Sequence, residues 1–450
     1  MPGSQPLNLP TLRAMAERGE IDTIILAAPD MQGRLQGKRM MPKFFFANEG
    51  ADGCAYLLAT DVECRPVPGY TLVSWDQGYG DFAFTPDLST LRLAPWQPGA
   101  AIVLCDIEHA SHRPVVVAPR TMLRHQLERL AAHGLTAFAA TELEFILFRN
   151  SYEEAWEKAY RGLTPANQYN NDYSILGTAR VEPIIRKIRN AMEAACIQVE
   201  NSKGENNLGQ HEINFAYREA MIAADQHVIY KEAAKEIAAE AGHALTFMAK
   251  FNEREGNSCH IHLSLRDSAG HPVFLAADGH SPSKLLLQFL AGLLAHTPAL
   301  TQFYAPNINS YKRFTAGSFA PTTLVWGMDN RTCAFRVVGR GNALRVENRL
   351  PGGDVNPYLA LAAMIAAGLD GIERDLPPAP PFTGNAYAAD LPRVPQTLHE
   401  AALLFAESEF NRAAFGADAV AHYANMAKVE LDVFNAAVTD WERFRSFERM

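Results

Sequence analysis

Apolar positions along the chain change their period at several points, and those points divide it. Residues 21–28 (Ile-Asp-Thr-Ile-Ile-Leu-Ala-Ala) form an apolar run that predicts a buried strand, closed by a turn at Asp30-Met31-Gln32-Gly33. Further short strands fit 54–58, 81–84 and 101–106, while proline and glycine punctuate 67–100. This first part reads as a small α+β domain. It ends at Pro114-Val115-Val116-Val117-Ala118-Pro119-Arg120, after which the spacing turns helical from Arg120 to Ala132. Helical patterns over 179–195, 218–243, 284–297, 357–367, 398–409 and 419–444 then alternate with short apolar strands. Asn356-Pro357 opens one of these helices, since Asn caps well and Pro is tolerated at the first helical position. Pro377-Pro378-Ala379-Pro380-Pro381 predicts a rigid surface connection.

The strand-like segments carry the chemistry. Glu142 and Glu144, in Thr141-Glu142-Leu143-Glu144-Phe145, are two apart and share one strand face. Leu143 and Phe145 to Phe148 are apolar on both faces, which predicts burial. Two carboxylates side by side in a dry place need a positive partner. An isolated pair would read as a solvated edge, and the flanking apolar run argues against that here. His260 and His262 repeat the spacing in Ser258-Cys259-His260-Ile261-His262-Leu263-Ser264, where a lone histidine would more often be a satisfied core residue. Lys203-Gly204 and Leu208-Gly209 allow tight turns that put Glu205 and Glu212 on adjacent segments. A carboxylate-rich set with one histidine favours Mg²⁺ or Mn²⁺ over zinc. Arg345, Glu347 and Arg349 alternate on another strand, either as a surface ion-pair ladder or as a clamp for phosphate and carboxylate.

Composition narrows the class. The 450 residues suffice for a large catalytic domain with a smaller companion, and 48% hydrophobic with 20% charged residues is an ordinary globular balance. A formal net charge of -9 argues against nucleic-acid partners. No run of about 18 apolar residues predicts a membrane span. Met1-Pro2-Gly3-Ser4-Gln5-Pro6 has neither the basic nor the apolar part of a secretory signal. Six cysteines without a C-x-x-C pair suit free thiols in a reducing cytoplasm.

Taken in order, the acidic, histidine and arginine segments resemble the active-site strands of the glutamine synthetase family, over about residues 20–450. The resemblance implies a small N-terminal β-grasp-like domain (1–115). It also implies a catalytic domain (116–450) with a curved antiparallel sheet and packed helices. The assembly would be a homo-oligomer of stacked six-subunit rings with active sites between neighbours. The cofactors would be Mg²⁺ or Mn²⁺, two to three ions, with ATP as co-substrate. Glu144, Glu205 and Glu212 would hold the ion near glutamate and the amine, and Glu142, His260 and Glu347 the ion on the phosphates. His262, Ser264, Arg336 and Arg345 match ATP contacts. Arg313, in Asn309-Ser310-Tyr311-Lys312-Arg313, matches the residue that binds the glutamate carboxylate, with Gly256 and Arg349 as further contacts. Arg331, in Asp329-Asn330-Arg331, matches the start of the phosphate-holding segment.

The departures from the family pattern are equally informative. No Asp-Gly-Ser-Ser segment for ammonium is present; the nearest acids are Asp61, in Thr60-Asp61-Val62, and Asp76, in the segment that also holds Tyr79. Six residues after Arg313, where the family places a flap glutamate, stands Phe319, in Gly317-Ser318-Phe319-Ala320-Pro321. Losing an anion disfavours NH₄⁺, and an aromatic ring suits an amine with an organic tail. Phe319 and Tyr79 are therefore assigned to the amine site. Tyr387 stands near a position adenylylated in some glutamine synthetases, but its surroundings differ and imply no regulation. The resemblance implies an ATP-dependent ligase that joins glutamate to a small primary amine through γ-glutamyl phosphate. Ethanolamine is the preferred amine; polyamines, aromatic amines and ammonia are alternatives. Water, Asp61 or Asp76 would take the amine's proton. A non-catalytic scaffold or nitrogen sensor would be marked by loss of metal ligands, and all six are present.

Overall fold

The computed structural model describes residues 7–48 and 50–450; the hexapeptide read above for a signal lies outside them. The N-terminal sheet contains β1 (Thr23–Pro29), β2 (Leu35–Met40), β3 (Ala51–Cys54), β4 (Asp81–Pro86), β5 (Arg92–Leu93) and β6 (Ala100–His109). Their order is β2-β1-β6-β4-β3, with β5 also on β6. The central pair β1 and β6 is parallel, and the other pairs are antiparallel. The apolar run at 21–28 is thus a central strand buried in its sheet, as its composition requires. The strand expected at 54–58 does not form: β3 ends at Cys54, and Ala55–Leu58 winds into a 3₁₀ turn that buries Ala55 and Leu58.

The second sheet contains β7 (Leu135–Phe148), β8 (Val199–Gly204), β9 (Gln210–Phe215), β10 (Arg218–Glu219), β11 (Ala244–Thr246), β12 (Cys259–Asp267), β13 (Trp326–Met328), β14 (Phe335–Val338) and β15 (Arg345–Asn348). Its path is β13-β14-β15-β12-β7-β9-β8, with β10 and β11 also on β7. The pairing is antiparallel except at one edge, where β13 runs parallel to β14. Register decides the chemistry. Glu142 faces His260 across β7–β12, Glu144 faces Glu212 across β7–β9, and Glu347 faces both His262 and Arg336. Directly opposed residues on antiparallel strands project to the same face, so acids and bases from separate segments meet there.

Helices Pro119–Ala132, Ala220–Glu240, Lys284–Tyr304 and Pro357–Glu373 supply much of the core. Among the described residues none is long and apolar enough to cross a membrane. Helix Lys284–Tyr304 continues through Pro298, seven residues beyond the expected end at 297, because its C-terminal half is buried and tertiary packing outweighs the lost N–H. The pattern at 419–444 is two helices, Ala417–Ala436 and Asp440–Ser446, separated where Thr439 forms a capping box with Glu442.

Two contacts fasten the sheets together. Asn356 caps helix Pro357–Glu373 and reaches the carbonyls of Asp30 and Met31 at 3.2 and 3.0 Å. Gly33 passes so close to Asn356 at φ +76° that a Cβ would strain it twice over. The buried guanidinium of Arg120 binds Asp87 and Asp106 of the N-terminal part at 2.7 Å each and Asp225 of helix Ala220–Glu240 at 2.9–3.0 Å. Tyr358 adds its hydroxyl to Asp225 at 2.7 Å. Arg120→Met leaves Asp87 and Asp225 without their cation, while Asp106 keeps Arg124 at 2.8 Å, and unfolding in urea should show a loss of about 3–5 kcal/mol. A loss within experimental scatter would mean that Arg120 is not the fastening point.

Candidate functional site

One cavity of about 790 Å³ opens over the face where the register collects the acids. It is lined by Glu142, Glu144, Glu205, Glu212, His260, His262 and Gly256, and on the other wall by Arg313, Phe319, Arg331, Arg336, Arg345 and Arg349. Segments more than two hundred residues apart in sequence meet here because β7 is central and its neighbours come from both halves of the domain. Glu347 lies behind the lining at 0% exposure, held by Arg349 and by Arg336 at 3.0 Å. Ser264 sits on β12 opposite Phe138, beyond the lining residues. Asp61, Asp76 and Tyr79 do not line the cavity either. Asp61 accepts the amides of Glu63 and Arg65 at 2.9 Å in its own turn. Tyr79 packs its ring against Trp75 and Tyr56.

The acids form two groups. In the first, Glu142, His262 and Glu347 offer donor atoms within 4.8 Å of one another. His260 joins them, its Nδ1 3.3 Å from Glu142 and 3.6 Å from Glu347. Arg345 Nε donates to His262 Nδ1 at 3.0 Å, which leaves the proton on Nε2, facing Glu142 at 2.8 Å. Burial works against ionisation of Glu142, yet the two imidazoles hold it well below the usual carboxylate range. Glu347 is likewise opposed by burial but held down to about 2, chiefly by Arg349 and then His260. His260 itself drops to about 4 through burial and the nearby Arg349 charge, so it is neutral at pH 7 and has a free lone pair to offer.

In the second group, Glu144, Glu205 and Glu212 bring carboxylate oxygens within 4.8 Å of one another. Glu144 accepts the Ser258 amide at 2.7 Å and Gln210 at 3.0 Å, which orients it. Burial and the Glu205 charge nevertheless push Glu144 up to about 8. Glu212 is pushed well up by burial and by Glu142, Glu144 and Glu205. Glu205 is raised mainly by burial, although Lys203 pairs with it. These directions record a concentration of negative charge for which the chain supplies too little positive charge. Divalent cations fit that deficit, and the donors are the oxygens and imidazole nitrogens that hard cations take.

Several lining residues carried no legible signal in the sequence. Asp172, Tyr173 and Ser174 come from the irregular stretch before helix Ile175–Thr178. Lys203 Nζ lies 4.3 Å from the centre of the Tyr173 ring and 3.3 Å from Asp172 while pairing with Glu205. Position two before Glu205 on a strand is a same-face position, so Lys203 could have been found by period alone; the 172–174 loop could not.

The model of the glutamine synthetase catalytic domain family matches residues 116–446. The chain is 59% identical over 448 residues to a γ-glutamylethanolamide synthetase of Streptomyces coelicolor, covering 99% of this chain and 96% of the relative. It is 41% identical to a glutamate–isopropylamine ligase of a Pseudomonas species, over 96% of both. A solved structure described as apo GmaS without ligand superposes with a TM-score of 0.85 at 28% identity, covering 97% of this chain and 99% of the other. A GmaS complex with ADP gives the same score, identity and coverage.

Glu212→Gln removes one charge from the crowded trio without removing its shape. The cation-free protein should melt at the same temperature as the wild type or higher. Mg²⁺ or Mn²⁺ should raise the melting temperature of the wild type and raise that of the variant less, and turnover should fall at least about 100-fold. A folded variant with an undiminished cation response would remove Glu212 from the metal site.

Proposed function

A member of the glutamine synthetase family, the chain is an ATP-dependent glutamate–amine ligase, and we propose that its acceptor is ethanolamine, giving γ-glutamylethanolamide, ADP and phosphate. We take residues 1–115 as the N-terminal domain and 116–450 as the catalytic domain. The observation that carries the choice of amine is the lining of the acceptor wall. The 317–321 loop contributes Ser318, Phe319 and Ala320 to the cavity and no carboxylate. A small cation such as ammonium finds no anion on that loop, whereas an amine with a short organic tail finds an aromatic surface, 54% exposed. The likeness to the Streptomyces enzyme over 99% of the chain supports the same choice.

In this reading Arg313, which is buried and bonded to the Leu350 carbonyl at 2.9 Å, presents its remaining donors to the glutamate carboxylate, with Gly256 and Arg349 beside it. Arg331, Arg336 and Arg345 face the ATP phosphates, and His262 and Ser264 complete the nucleotide contacts. Glu144, Glu205 and Glu212 would hold one divalent ion, and Glu142, His260 and Glu347 another, as Mg²⁺ or Mn²⁺. Bound there, such ions neutralise phosphate charge and polarise the oxygens they touch. A glutamate γ-carboxylate oxygen attacks the terminal phosphorus of ATP and ADP leaves. The arginines offset the charge that spreads over the transferring group. The alkylammonium gives one proton to water, Asp61 or Asp76, and the freed nitrogen attacks the acyl carbon of γ-glutamyl phosphate. Phosphate departs, and the nitrogen's second proton passes to solvent or to the departing phosphate. Since Asp61, Asp76 and Tyr79 do not line the cavity of their own protomer, they would act from a neighbour in stacked six-subunit rings.

The direct test is phosphate release with glutamate, ATP, Mg²⁺ and a panel of amines. Ethanolamine should give the highest kcat/KM, with ammonia much slower. Ammonia as the best acceptor would make the protein a glutamine synthetase proper, and a polyamine as the best would move the acceptor class.

Phe319→Glu tests the acceptor wall itself. One added carboxylate stabilises a small cation and fills space that a tail uses, so the ratio of ammonia to ethanolamine kcat/KM should rise. Two missing Asp-Gly-Ser-Ser contacts keep the conversion partial. An unchanged ratio in a folded, metal-binding variant would place Phe319 away from the amine.

A further inference from the structure

We infer that Tyr387 is a positioning residue for acceptor selectivity: it clamps the 317–321 loop so that Phe319 stays at the amine wall. The inference rests on the acceptor assignment above and deepens it. Phe319 sits at φ +61°, a backbone region that a bulky non-glycine residue occupies only when its surroundings hold it there. Three contacts do so. The Tyr387 hydroxyl donates to the Ala320 carbonyl at 3.1 Å. Arg349 Nη2 donates to the Phe319 carbonyl at 3.3 Å. The Ser318 hydroxyl lies against the carbonyls of Arg313 and Thr315 at 3.0 and 2.6 Å. Phe319 itself is more than half exposed, so side-chain packing alone does not fix the loop.

Tyr387 is in turn anchored to the segment that carries Arg331, on the same wall. Asn385 caps its 3₁₀ turn by accepting the Tyr387 amide at 3.0 Å. The Ala386 amide donates to Thr332 Oγ1 at 3.0 Å, and Asn330 Nδ2 donates to the Gly384 carbonyl at 2.9 Å. Residues 330 and 332 flank Arg331, which lines the cavity. The turn that bears Tyr387 thus joins the arginine segment to the acceptor loop. The hydroxyl is half-buried and engaged within the fold, which suits a clamp and leaves it poorly placed for modification.

Tyr387→Phe keeps the ring and removes only the donor. In the substrate-free protein, hydrogen–deuterium exchange of a peptide covering 315–321 should speed up about three- to tenfold, the loss of one hydrogen bond, while the sheet peptides are unchanged. In kinetics, the ethanolamine KM should rise by a similar factor, with the KM values of ATP and glutamate within about twofold of wild type. The ammonia-to-ethanolamine ratio of kcat/KM should also rise. A merely structural role would lower turnover with every amine at constant ratio. Either that result or unchanged exchange overturns the clamp. The exchange arm does not depend on which amine is used. Failure of wild-type protein to use ethanolamine would overturn the acceptor assignment instead, while leaving the exchange result standing.

Discussion

Too many carboxylates meet in or just behind one cavity for the chain to neutralise them by itself. Glu142, Glu144, Glu205, Glu212 and Glu347 come from four strands or their ends, and two of the five are held down only by histidines and arginines. The other three repel one another, and burial raises all three. Such a cluster destabilises the folded chain unless cations offset it, so the repulsion among these acids is itself what would favour cation binding. The arginine wall opposite is the complement: it provides positive charge of the kind that suits phosphate and carboxylate groups.

A cluster of this kind has to be held open by something that does not yield. The sheet does this with registers that oppose Glu144 to Glu212 and Glu347 to His262, and the core helix Pro357–Glu373 is apolar almost throughout. The Arg120 network couples that frame to the N-terminal sheet through three aspartates and Tyr358. Here a buried cation surrounded by acids serves structure, whereas in the cavity acids without a sufficient cation serve chemistry. The same Coulombic rule gives a fastening point in one place and a metal site in the other.

In the function proposed above, specificity resides in less regular structure. The proposed acceptor wall is a loop with a strained residue, held by side chains from the arginine wall and from the Tyr387 turn. Loops of this kind can change the accepted amine without disturbing the phosphate chemistry, because the acids and arginines stand on strands that the loop does not carry. The two ligases to which this chain is similar act, by their descriptions, on different amines, in keeping with that division.

The sequence alone determined the reaction class through its resemblance to the glutamine synthetase family, and its spacing supplied the cluster of candidate metal ligands. Period-two placement of Glu142 with Glu144, His260 with His262, and Arg345 with Glu347 and Arg349 is a local property of strands, legible without a partner strand. The long helices and the Asn356-Pro357 cap were legible as well, from local spacing and capping chemistry. Tertiary structure decided what depended on partners. The 54–58 segment has strand composition, but Ala55–Leu58 winds into a 3₁₀ turn that buries Ala55 and Leu58. Helix Lys284–Tyr304 runs past Pro298 because packing outweighs one missing donor. Glu347 is spaced like a lining residue yet lies wholly behind two arginines. The 172–174 loop and Tyr387 reach the site only through the chain path, with no periodicity to announce them. Period tells which residues share a face; only register and loop path tell which faces meet, because those are set by long-range pairing that no local window of sequence contains.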